Sequence, residues 1–443
     1  MMSILCLLLN SCHFGEKVTD IRPNFIIILT DDMGYGDLGC YGNTEINTPH
    51  IDRMAAAGIR FTDFHSNSAV CTPTRVALLT GRYQQRAGLQ NVLRVTDSSD
   101  TPPGLAGEEV TFAEVLKTAG YQTGIFGKWH VGTQNESHPL NQGFDKFIGF
   151  MTNPDFFSHC GRLGEHDWHH GFSETKEEGY ITELISKHSI DFIQQNNNKP
   201  FCLYVAHKTP HGPLQGPSDS AIWKENEITR PLPRSARPGD EENIYREMIE
   251  NLDSYIGQMI LTLEQENIAE NTLIIFFSDN GPIGIENTNG LKGRKGQLYE
   301  GGHRIPAIAY WPEMIQPGTN SDVIMGMDIF PTLLDIAGID YIAGQNRQLD
   351  GISFYPVLKG NSLPERTLFW RTNGGIAVRK GPWKLIRQKG DDNPDKQFML
   401  FNLDKDIREL QDFSEENPAL VQQLLEEIRN WESDVDSNSL QVH

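Results

Sequence analysis

The sequence predicts an α/β protein with a large mixed, mostly parallel sheet flanked by helices, followed by a small antiparallel sheet and a helix at the C-terminus. Three observations predict this architecture. Continuous apolar runs at 24–29, 201–206 and 272–277 are typical of strands that are buried on both faces of a sheet. Helical patterns separate these runs, as in a doubly wound sheet. After about residue 360 the pattern changes to short strand-like segments separated by turns.

Predicted strands and helices alternate along the chain. The first helix carries apolar residues at Ile51, Met54 and Ala55 and ends at Gly58, a residue type that commonly caps helix C-termini. The elements expected, in chain order, are strand 24–29, helix 50–58, helix 111–119, a strand within 120–127, helix 179–196, strand 201–206, helix 243–264, strand 272–277, short strands at 367–370, 375–378 and 383–386, and helix 417–432.

Three regions follow from this pattern: a leader and tether at 1–20, a main domain at 21–360 and a C-terminal subdomain at 361–443. The leader holds a short apolar run that ends in Leu9-Asn10-Ser11-Cys12. An apolar stretch that ends in Leu-x-Ser-Cys resembles a bacterial lipobox, in which Cys12 receives a lipid and the preceding residues are removed. An ordinary secretory signal and a fortuitous apolar N-terminus are the alternatives. We expect export to the periplasm or cell surface of a bacterium, with membrane contact only through this anchor.

The charge balance of the chain limits its partners. There are 59 acidic residues against 38 Lys and Arg, which gives a formal net charge of −21. Nucleic acid is excluded as a general partner because binding the phosphate backbone needs a basic face. An anionic substrate must therefore be held by a local cluster of cations. The 6 cysteines form no CxxC pair, which excludes a disulfide scaffold and a cysteine-rich zinc site.

Polar side chains follow three of the buried runs. Asp31 and Asp32 follow the first run, 207–211 contains two histidines after the second, and Asp279 and Asn280 follow the third. Because ligand sites of open α/β sheets lie beyond the carboxyl ends of the strands, we expect these groups to converge. Carboxylate and amide oxygens favour Ca²⁺ or Mg²⁺ over zinc.

The adjacent aspartates need a particular backbone to act together. On a strand end the side chains of Asp31 and Asp32 diverge, so both reach one centre only if the chain turns there. Gly34 and Gly36 make such a turn plausible. Two solvated loop carboxylates are the alternative, which the second polar strand end disfavours.

Cys71 lies just before an apolar helical stretch, where the helix dipole is expected to lower the pKa of its thiol. A lone cysteine in this position is ordinarily a small core residue. Here Pro73 and Arg75 follow it at the second and fourth positions. This Cys-x-Pro-x-Arg pattern resembles the maturation signal of type I sulfatases, in which the cysteine is oxidised to formylglycine. The hydrated aldehyde of that family offers one hydroxyl to attack sulfur and a second to drive release of sulfate.

Other segments resemble the same family in the same order. They are 24–42, 48–53, 58–61, Gly-Lys-Trp-His-Val-Gly at 127–132, Ser-Asp-Asn-Gly at 278–281 and Lys-Gly-Gln-Leu-Tyr-Glu-Gly-Gly at 295–302. The matches run from about residue 22 to about residue 410, nearly the whole chain. The sequence is therefore identified as a member of the formylglycine-dependent, arylsulfatase-like sulfatases of the alkaline phosphatase superfamily. An alkaline phosphatase-like sheet and a sulfatase domain at 21–360 are the corresponding expectations.

The resemblance implies a metal site. The expected ion is Ca²⁺, and Mg²⁺ is the alternative. The expected ligands are Asp31, Asp32, Asp279, Asn280 and the modified Cys71.

It also implies roles for five further residues. Arg75 would hold the aldehyde hydrate, and Lys128 and Lys295 would bind the sulfate oxygens. Cations placed there favour a transition state that spreads negative charge over the sulfuryl oxygens. His130 would deprotonate the remaining hydroxyl, and His211 would protonate the leaving alcohol.

Two similar residues compete for these assignments. His207 also lies near the end of the second run, but the proline beside His211 favours His211 as the acid. His207 is then expected to have a structural role or to lie behind the residues that contact the substrate. Lys292 is close to Lys295, and Lys295 is favoured because it directly precedes Gly-x-x-Tyr-Glu-Gly-Gly. The alternative for each of these lysines and histidines is a solvated surface side chain.

The implied substrate is a sulfate ester of an oligo- or polysaccharide, and the implied partner is a formylglycine-generating maturase. A phosphodiester or phosphonate monoester hydrolase of the same superfamily is an alternative, as is a sugar-binding protein in which Cys71 stays a thiol. The insert at 153–171 is rich in aromatic residues and histidines. It is either a carbohydrate subsite or a loop that packs its own aromatic rings.

Overall fold

The structure, a computed structural model, describes residues 22–93, 104–227, 232–285, 287–341, 347–389 and 398–437. The expected leader and its Cys12 lie outside these residues. Within the described ranges, no helix combines the length and apolar character needed to cross a bilayer.

Most strands belong to one large sheet or to a small C-terminal sheet. They are β1 (Asn24–Asp31), β2 (Ile59–Phe61), β3 (Phe64–His65), β4 (Gln122–Lys128), β5 (Lys146–Phe150), β6 (His169–His170), β7 (Ser173–Glu174), β8 (Phe201–Pro210), β9 (Thr272–Ser278), β10 (Ala307–Tyr310), β11 (Gly318–Asn320), β12 (Ile324–Met325), β13 (Thr367–Thr372), β14 (Gly375–Lys380), β15 (Trp383–Gln388) and β16 (Met399–Asn402). The α-helices are α1 (Pro49–Ala57), α2 (Cys71–Thr80), α3 (Phe112–Thr118), α4 (Ile181–Gln195), α5 (Glu241–Gln265), α6 (Glu300–His303), α7 (Ile329–Ala337), α8 (Tyr355–Leu358) and α9 (Pro418–Ser437).

The large sheet has ten strands in the described part of the chain, in the order β11-β2-β10-β9-β1-β8-β4-β5-β6-β7. Its centre, from β9 to β5, is parallel, and β10, β6 and β7 add antiparallel pairs at the two sides. The mixed, mostly parallel sheet predicted from the sequence is confirmed.

The central strand β1 shows why the apolar runs form this sheet. All eight of its residues are buried. Phe25, Ile27 and Leu29 pack into the core on one face of the sheet, whereas Ile26 and Ile28 pack into the core on the other face. A strand covered on both faces needs apolar residues at consecutive positions, which is the pattern in the sequence.

The C-terminal sheet is antiparallel, with the strand order β13-β14-β15-β16. It packs with α9 in a third apolar cluster, where Trp370 and Leu385 meet Leu424. Leu298 and Tyr299 of the main body enter the same cluster, so this sheet is docked on the segment that precedes α6. The small antiparallel sheet and terminal helix are confirmed, and the boundary between 360 and 361 stays a prediction.

Two local expectations are corrected by the structure. The second buried strand does not end at residue 206 but continues to Pro210, because β1 pairs with it again at Asp31 after a register shift. Gly58 does follow α1, but its φ of −125° is not left-handed. Its small size is required instead because a side chain there would collide with the carbonyl oxygen of Ala309.

Candidate active site

Neighbouring strands bring the polar groups together at one edge of the sheet. Asp31 ends β1, Lys128 ends β4, and Asp279 directly follows β9. β9 is the neighbour of β1 on one side, and β4 lies one strand beyond β1 on the other, so their carboxyl ends bring these side chains to one place.

The turn that lets both aspartates face this place lies at Asp32 itself. Asp32 has a φ of 68°, in the left-handed region that residues with a β-carbon rarely adopt. Its backbone N–H donates to Asp279 Oδ1 at 3.3 Å. Gly36, expected to allow this turn, has another function: its N–H donates to the Asn287 carbonyl at 2.7 Å, and a β-carbon there would lie 2.8 Å from the Asn287 side chain.

Three buried ion pairs form the centre of the site. Lys128 Nζ lies 2.5 Å from Asp31 Oδ2, and Arg75 donates to Asp279 Oδ2 at 2.8 Å. The third pair joins Lys295 Nζ to Asp32 Oδ1 at 2.5 Å. The side chains of the first two pairs are fully buried, whereas that of Lys295 remains 16% exposed.

This crowding changes the acidity of the carboxyl groups. Burial would raise the pKa of Asp31, but Lys128, His211 and Arg75 together hold it well below its usual value. Burial and the Asp31 carboxylate raise the pKa of Asp279 to about 7. Carboxyl groups this close repel one another when ionised, and a bound cation would relieve that repulsion.

Several oxygens in the centre are buried without a hydrogen bond to any described residue. They are Asp31 Oδ1, Asp32 Oδ2 and Asn280 Oδ1. The Asn280 amide nitrogen donates to Asp32 Oδ1 at 2.7 Å, which leaves its oxygen free for another group. Cys71 Sγ and oxygens of Asp31 and Asp279 lie within 4.8 Å of one another. Because an unpaired buried oxygen is costly, this donor set fits a hard divalent cation.

Cys71 is the first residue of α2, as the sequence predicts. The expected lowering of its pKa is wrong: burial raises the pKa of the thiol, although Lys295 and Lys128 oppose that effect. Desolvation therefore outweighs the favourable helix end for the unmodified cysteine.

His130 is oriented by a single hydrogen bond. Its Nε2–H donates to the Leu93 carbonyl at 3.1 Å, so Nδ1 carries the lone pair of the neutral ring. That Nδ1 is buried without a hydrogen-bond partner in the part of the chain that the structure describes. Burial, together with Lys128 and Arg75, lowers the pKa of His130 well below its usual value. The ring is thus a neutral base with its lone pair available.

The structure separates the two histidines of β8 and the turn after it. His211 Nδ1–H donates to the Gly212 carbonyl at 2.6 Å, and its Nε2 lies 3.6 Å from Asp32 Oδ2. His207 is fully buried, and neither ring nitrogen has a hydrogen-bond partner among the described residues. Burial lowers the pKa of His207 to about 3. His211, and not His207, therefore faces the carboxylates.

Lys292 and Lys295 are likewise separated. Lys292 Nζ lies 4.0 Å from the centre of the Tyr299 ring and donates to the Glu409 carbonyl at 3.4 Å. It points toward the C-terminal sheet, whereas Lys295 reaches Asp32.

Lys208 is a residue of this region that the sequence patterns did not identify. It is fully buried, and its ammonium donates to the carbonyls of His211 and Gly212 at 3.1 and 3.0 Å. It also lies 3.8 Å from the centre of the Phe156 ring. A lysine that continues a buried, apolar strand run is the sequence signal that could have identified Lys208. Lys208 fixes the backbone that carries His211.

The insert at 153–171 mostly packs against itself and the sheet. Trp168 and Phe156 are fully buried, and Trp168 stacks on Phe150 with ring centres 6.4 Å apart. His159 packs against the same indole at 5.0 Å. These rings are not available for stacking on a sugar, so the packing interpretation accounts for most of the insert.

A second buried cluster, which we call the paired network, lies between the main body and the C-terminal sheet. Lys384 Nζ lies 2.8 Å from Glu300 Oε1 and 2.9 Å from Glu409 Oε1. Arg379 donates two hydrogen bonds of 2.7 Å to the two oxygens of Asp63. Its members are Asp63, His65, Glu300, His303, Arg304, Arg379, Lys384 and Glu409.

Comparison with known proteins matches nearly the whole chain. The family model described as Sulfatase matches residues 23–339, and the model described as N-sulphoglucosamine sulphohydrolase, C-terminal, matches residues 294–434. The N-acetylgalactosamine-6-sulfatase of Canis lupus familiaris is 34% identical over 407 residues, covering 86% of this chain and 74% of the relative. Arylsulfatase A of Homo sapiens is 33% identical over 405 residues, covering 82% and 74%.

A solved structure is similar over nearly its full length. The crystal structure of Ps i-CgsB has 30% sequence identity and a TM-score of 0.82, covering 95% of this chain and 94% of that chain. The same values hold for the crystal structure of Ps i-CgsB in complex with k-i-k-neocarrahexaose.

Proposed function

Because the chain belongs to the sulfatase family and is a sulfuric ester hydrolase, we propose that it removes sulfate from a sulfated saccharide, using a formylglycine made from Cys71 beside a bound Ca²⁺. One observation carries the proposal. Buried carboxylate and amide oxygens without partners among the described residues face two lysines, an arginine and Cys71 at a single edge of the sheet.

The metal would be held by side-chain oxygens and by the group at position 71. Its protein ligands are Asp31, Asp32, Asp279 and Asn280. When bound, a hard divalent cation supplies positive charge that offsets the carboxylates and polarises a sulfate oxygen. Ca²⁺ is favoured over Mg²⁺ because Ca²⁺ accepts irregular sets of six to eight oxygen ligands.

A maturase would convert Cys71 to formylglycine with an external two-electron oxidant. Water would supply the aldehyde oxygen, and the sulfur would leave as hydrogen sulfide. The pattern of Pro73 and Arg75 after Cys71 supports this modification. The hydrated aldehyde supplies two hydroxyls on one carbon, the first for attack on sulfur and the second for release of sulfate.

Lys128 and Lys295 bind and orient the sulfate ester, whereas Arg75 holds the aldehyde hydrate. Each of these three cations is already paired with an aspartate, and Arg75 with two, so its position is fixed before the substrate arrives. Fixed cations need no reorganisation when negative charge spreads over the sulfuryl oxygens in the transition state. Only Lys295 of the three is partly exposed, and it therefore contacts the sulfate from the open side.

His130 and His211 move protons on opposite sides of the reaction. His130 accepts a proton at Nδ1, the nitrogen that its bond to Leu93 leaves without hydrogen. His211 donates from Nε2 to the leaving oxygen, since its Nδ1–H is held by Gly212. Burial lowers the pKa of His211, although Asp31 opposes this, and an anionic sulfate ester beside the ring would favour its protonated form.

The saccharide substrate is supported by the relatives. One is named for the 6-sulfate of N-acetylgalactosamine, and one similar structure holds a neocarrahexaose. We propose an exported enzyme acting on such sulfated glycans.

A panel of sulfated oligosaccharides tests this function directly. Wild type, coexpressed with a maturase, is expected to release sulfate from at least one member of the panel. Its rate on that sulfate ester should exceed its rate on phenyl phosphonate. Cys71→Ala should release none, whereas Cys202→Ala, which changes a buried cysteine of β8, should behave as wild type. Phosphonate hydrolysis without sulfate release would favour the alternative hydrolase, and turnover by Cys71→Ala would contradict the proposed nucleophile.

A further inference from the structure

We propose that the C-terminal subdomain positions Lys295. Gln388 of β15 and Glu409, which follows β16, hold the loop 291–299 and the first residue of α6 by hydrogen bonds, and thereby fix where the Lys295 ammonium meets the sulfate. This inference rests on the function proposed above. It assigns Gln388 and Glu409 as positioning residues, since neither belongs to the cluster that would contact the substrate.

The C-terminal subdomain contacts the loop, or the residue that follows it, at three points. The backbone N–H of Leu298 donates to Gln388 Oε1 at 2.8 Å, and that of Glu300 donates to Glu409 Oε2 at 2.6 Å. The Lys292 ammonium donates to the Glu409 carbonyl at 3.4 Å. Both ends of the loop are therefore attached to residues of the C-terminal subdomain.

A buried ion triad strengthens the attachment at Glu300. Lys384 of β15 lies between Glu300 and Glu409, and all three side chains are 0% exposed. Removing one partner of such a group leaves an uncompensated buried charge, which is strongly unfavourable. The end of the loop therefore has little freedom to move relative to the sheet.

The other side of the loop contacts the catalytic segments. The N–H of Lys295 donates to the Pro282 carbonyl and that of Gly296 to the Ala69 carbonyl, both at 2.7 Å. Pro282 directly follows the Ser-Asp-Asn-Gly segment at 278–281, and Ala69 lies two residues before Cys71. The loop is thus held between the active site and the C-terminal sheet.

This arrangement matters because a lysine is a point charge on a flexible four-carbon stem. The position of its ammonium depends on the backbone that carries it. A misplacement of about 1 Å in a catalytic group can cost about 100-fold in rate.

A double-mutant cycle in the full-length, matured enzyme tests the inference. Gln388→Leu removes the acceptor of the Leu298 N–H and is expected to lower kcat/KM for a sulfate ester by about 10- to 100-fold. In a Lys295→Ala background the same change should alter kcat/KM by less than about 2-fold, because its effect acts through Lys295. Glu409→Gln, which weakens the contact with Lys384, is the second variant and should show the same dependence.

Amide hydrogen exchange of the 291–299 peptide provides a readout besides activity. Exchange should accelerate in Gln388→Leu and Glu409→Gln, but not in the control Lys380→Met, which removes a contact of the same sheet with Glu427 of α9. Unchanged exchange in both folded variants, or equal losses of kcat/KM with and without Lys295, would overturn the inference. A wild type that hydrolyses no sulfate ester would contradict the proposed function instead, and the exchange comparison would still decide whether the sheet holds the loop.

Discussion

The candidate active site and the paired network are both buried and both rich in acidic side chains, but they differ in how their oxygens are satisfied. In the paired network, both oxygens of Asp63 and of Glu300 accept hydrogen bonds. Glu409 accepts one at Oε2, and its Oε1, which makes no hydrogen bond to the described residues, lies 2.9 Å from the Lys384 ammonium. In the active site, Asp31 and Asp32 each have one oxygen without a hydrogen-bond partner among the described residues. The comparison indicates that incomplete pairing, and not acidity or burial, distinguishes a binding centre from a structural one.

The same comparison applies to metal-ligand geometry. His65, Glu300 and His303 in the paired network place three ligand atoms within 4.8 Å, as do groups in the active site. Lys384 and Arg304 already form ion pairs with the two oxygens of Glu300, so a metal ion bound there would be repelled by two positive side chains. We therefore expect substitutions in the two clusters to fail in different ways.

The largest effect is expected at Cys71. Cys71→Ser keeps one hydroxyl but lacks the second that release of sulfate requires. Turnover should fall on the order of 10⁶-fold, as for loss of other catalytic nucleophiles, while the thermal unfolding curve stays close to that of wild type. Steady-state sulfate release measures the effect, and a Cys71→Ser enzyme with the wild-type rate would rule out the aldehyde mechanism.

The next effect separates the two histidines. His130→Ala and His211→Ala should each lose about 10²- to 10⁴-fold in rate, as is typical of general acids and bases. His130→Ala should give a burst of alcohol followed by stalling. His211→Ala should show no burst, and aryl sulfates should partly rescue it because a phenolate leaves with little need of a proton. If His207→Ala shows this dependence on the leaving group instead, the assignment of the acid is wrong.

At Lys384 of the paired network we expect a loss of stability. Lys384→Met leaves Glu300 and Glu409 buried without their shared cation, which should lower the free energy of unfolding by about 3–5 kcal/mol. Denaturant unfolding measures this change. A midpoint equal to that of wild type would contradict a structural role for the network.

The smallest effect on stability is expected at an exposed ion pair. Lys176 lies 2.7 Å from Glu225, but the two side chains are 70% and 44% exposed. Water screens such a pair, so Lys176→Ala should leave the unfolding midpoint unchanged within error. A clear loss of stability would show that distance alone, without burial, governs these ion pairs.

The main features of the fold and site could be predicted because they depend on local patterns. Consecutive apolar residues in β1, β8 and β9 indicate strands covered on both faces, and the polar residues after them mark the carboxyl edge. Asp31 and Asp279 could thus be placed together from the sequence alone.

Features that arise from tertiary packing could not be predicted in this way. The left-handed backbone of Asp32 takes the place of the expected turn at the following glycines, and β1 shifts register against β8 just before it. The burial that raises the pKa of Cys71 depends on the whole core around α2. The paired network joins Asp63 to Arg379 across 316 positions, and no local pattern indicates such a contact.

Equilibrium Ca²⁺ binding tests the central contrast between the two clusters. Asp31→Asn and Glu300→Gln are matched variants, since each converts one buried carboxylate to its amide. After removal of divalent ions, wild type and Glu300→Gln are each expected to bind one Ca²⁺ per chain. In wild type, Ca²⁺ should also restore sulfatase activity, which Zn²⁺ should not. Asp31→Asn should bind little or none at the concentration that saturates wild type. Full binding by Asp31→Asn, or loss of the ion in Glu300→Gln alone, would contradict the assignment of the metal to the incompletely paired cluster.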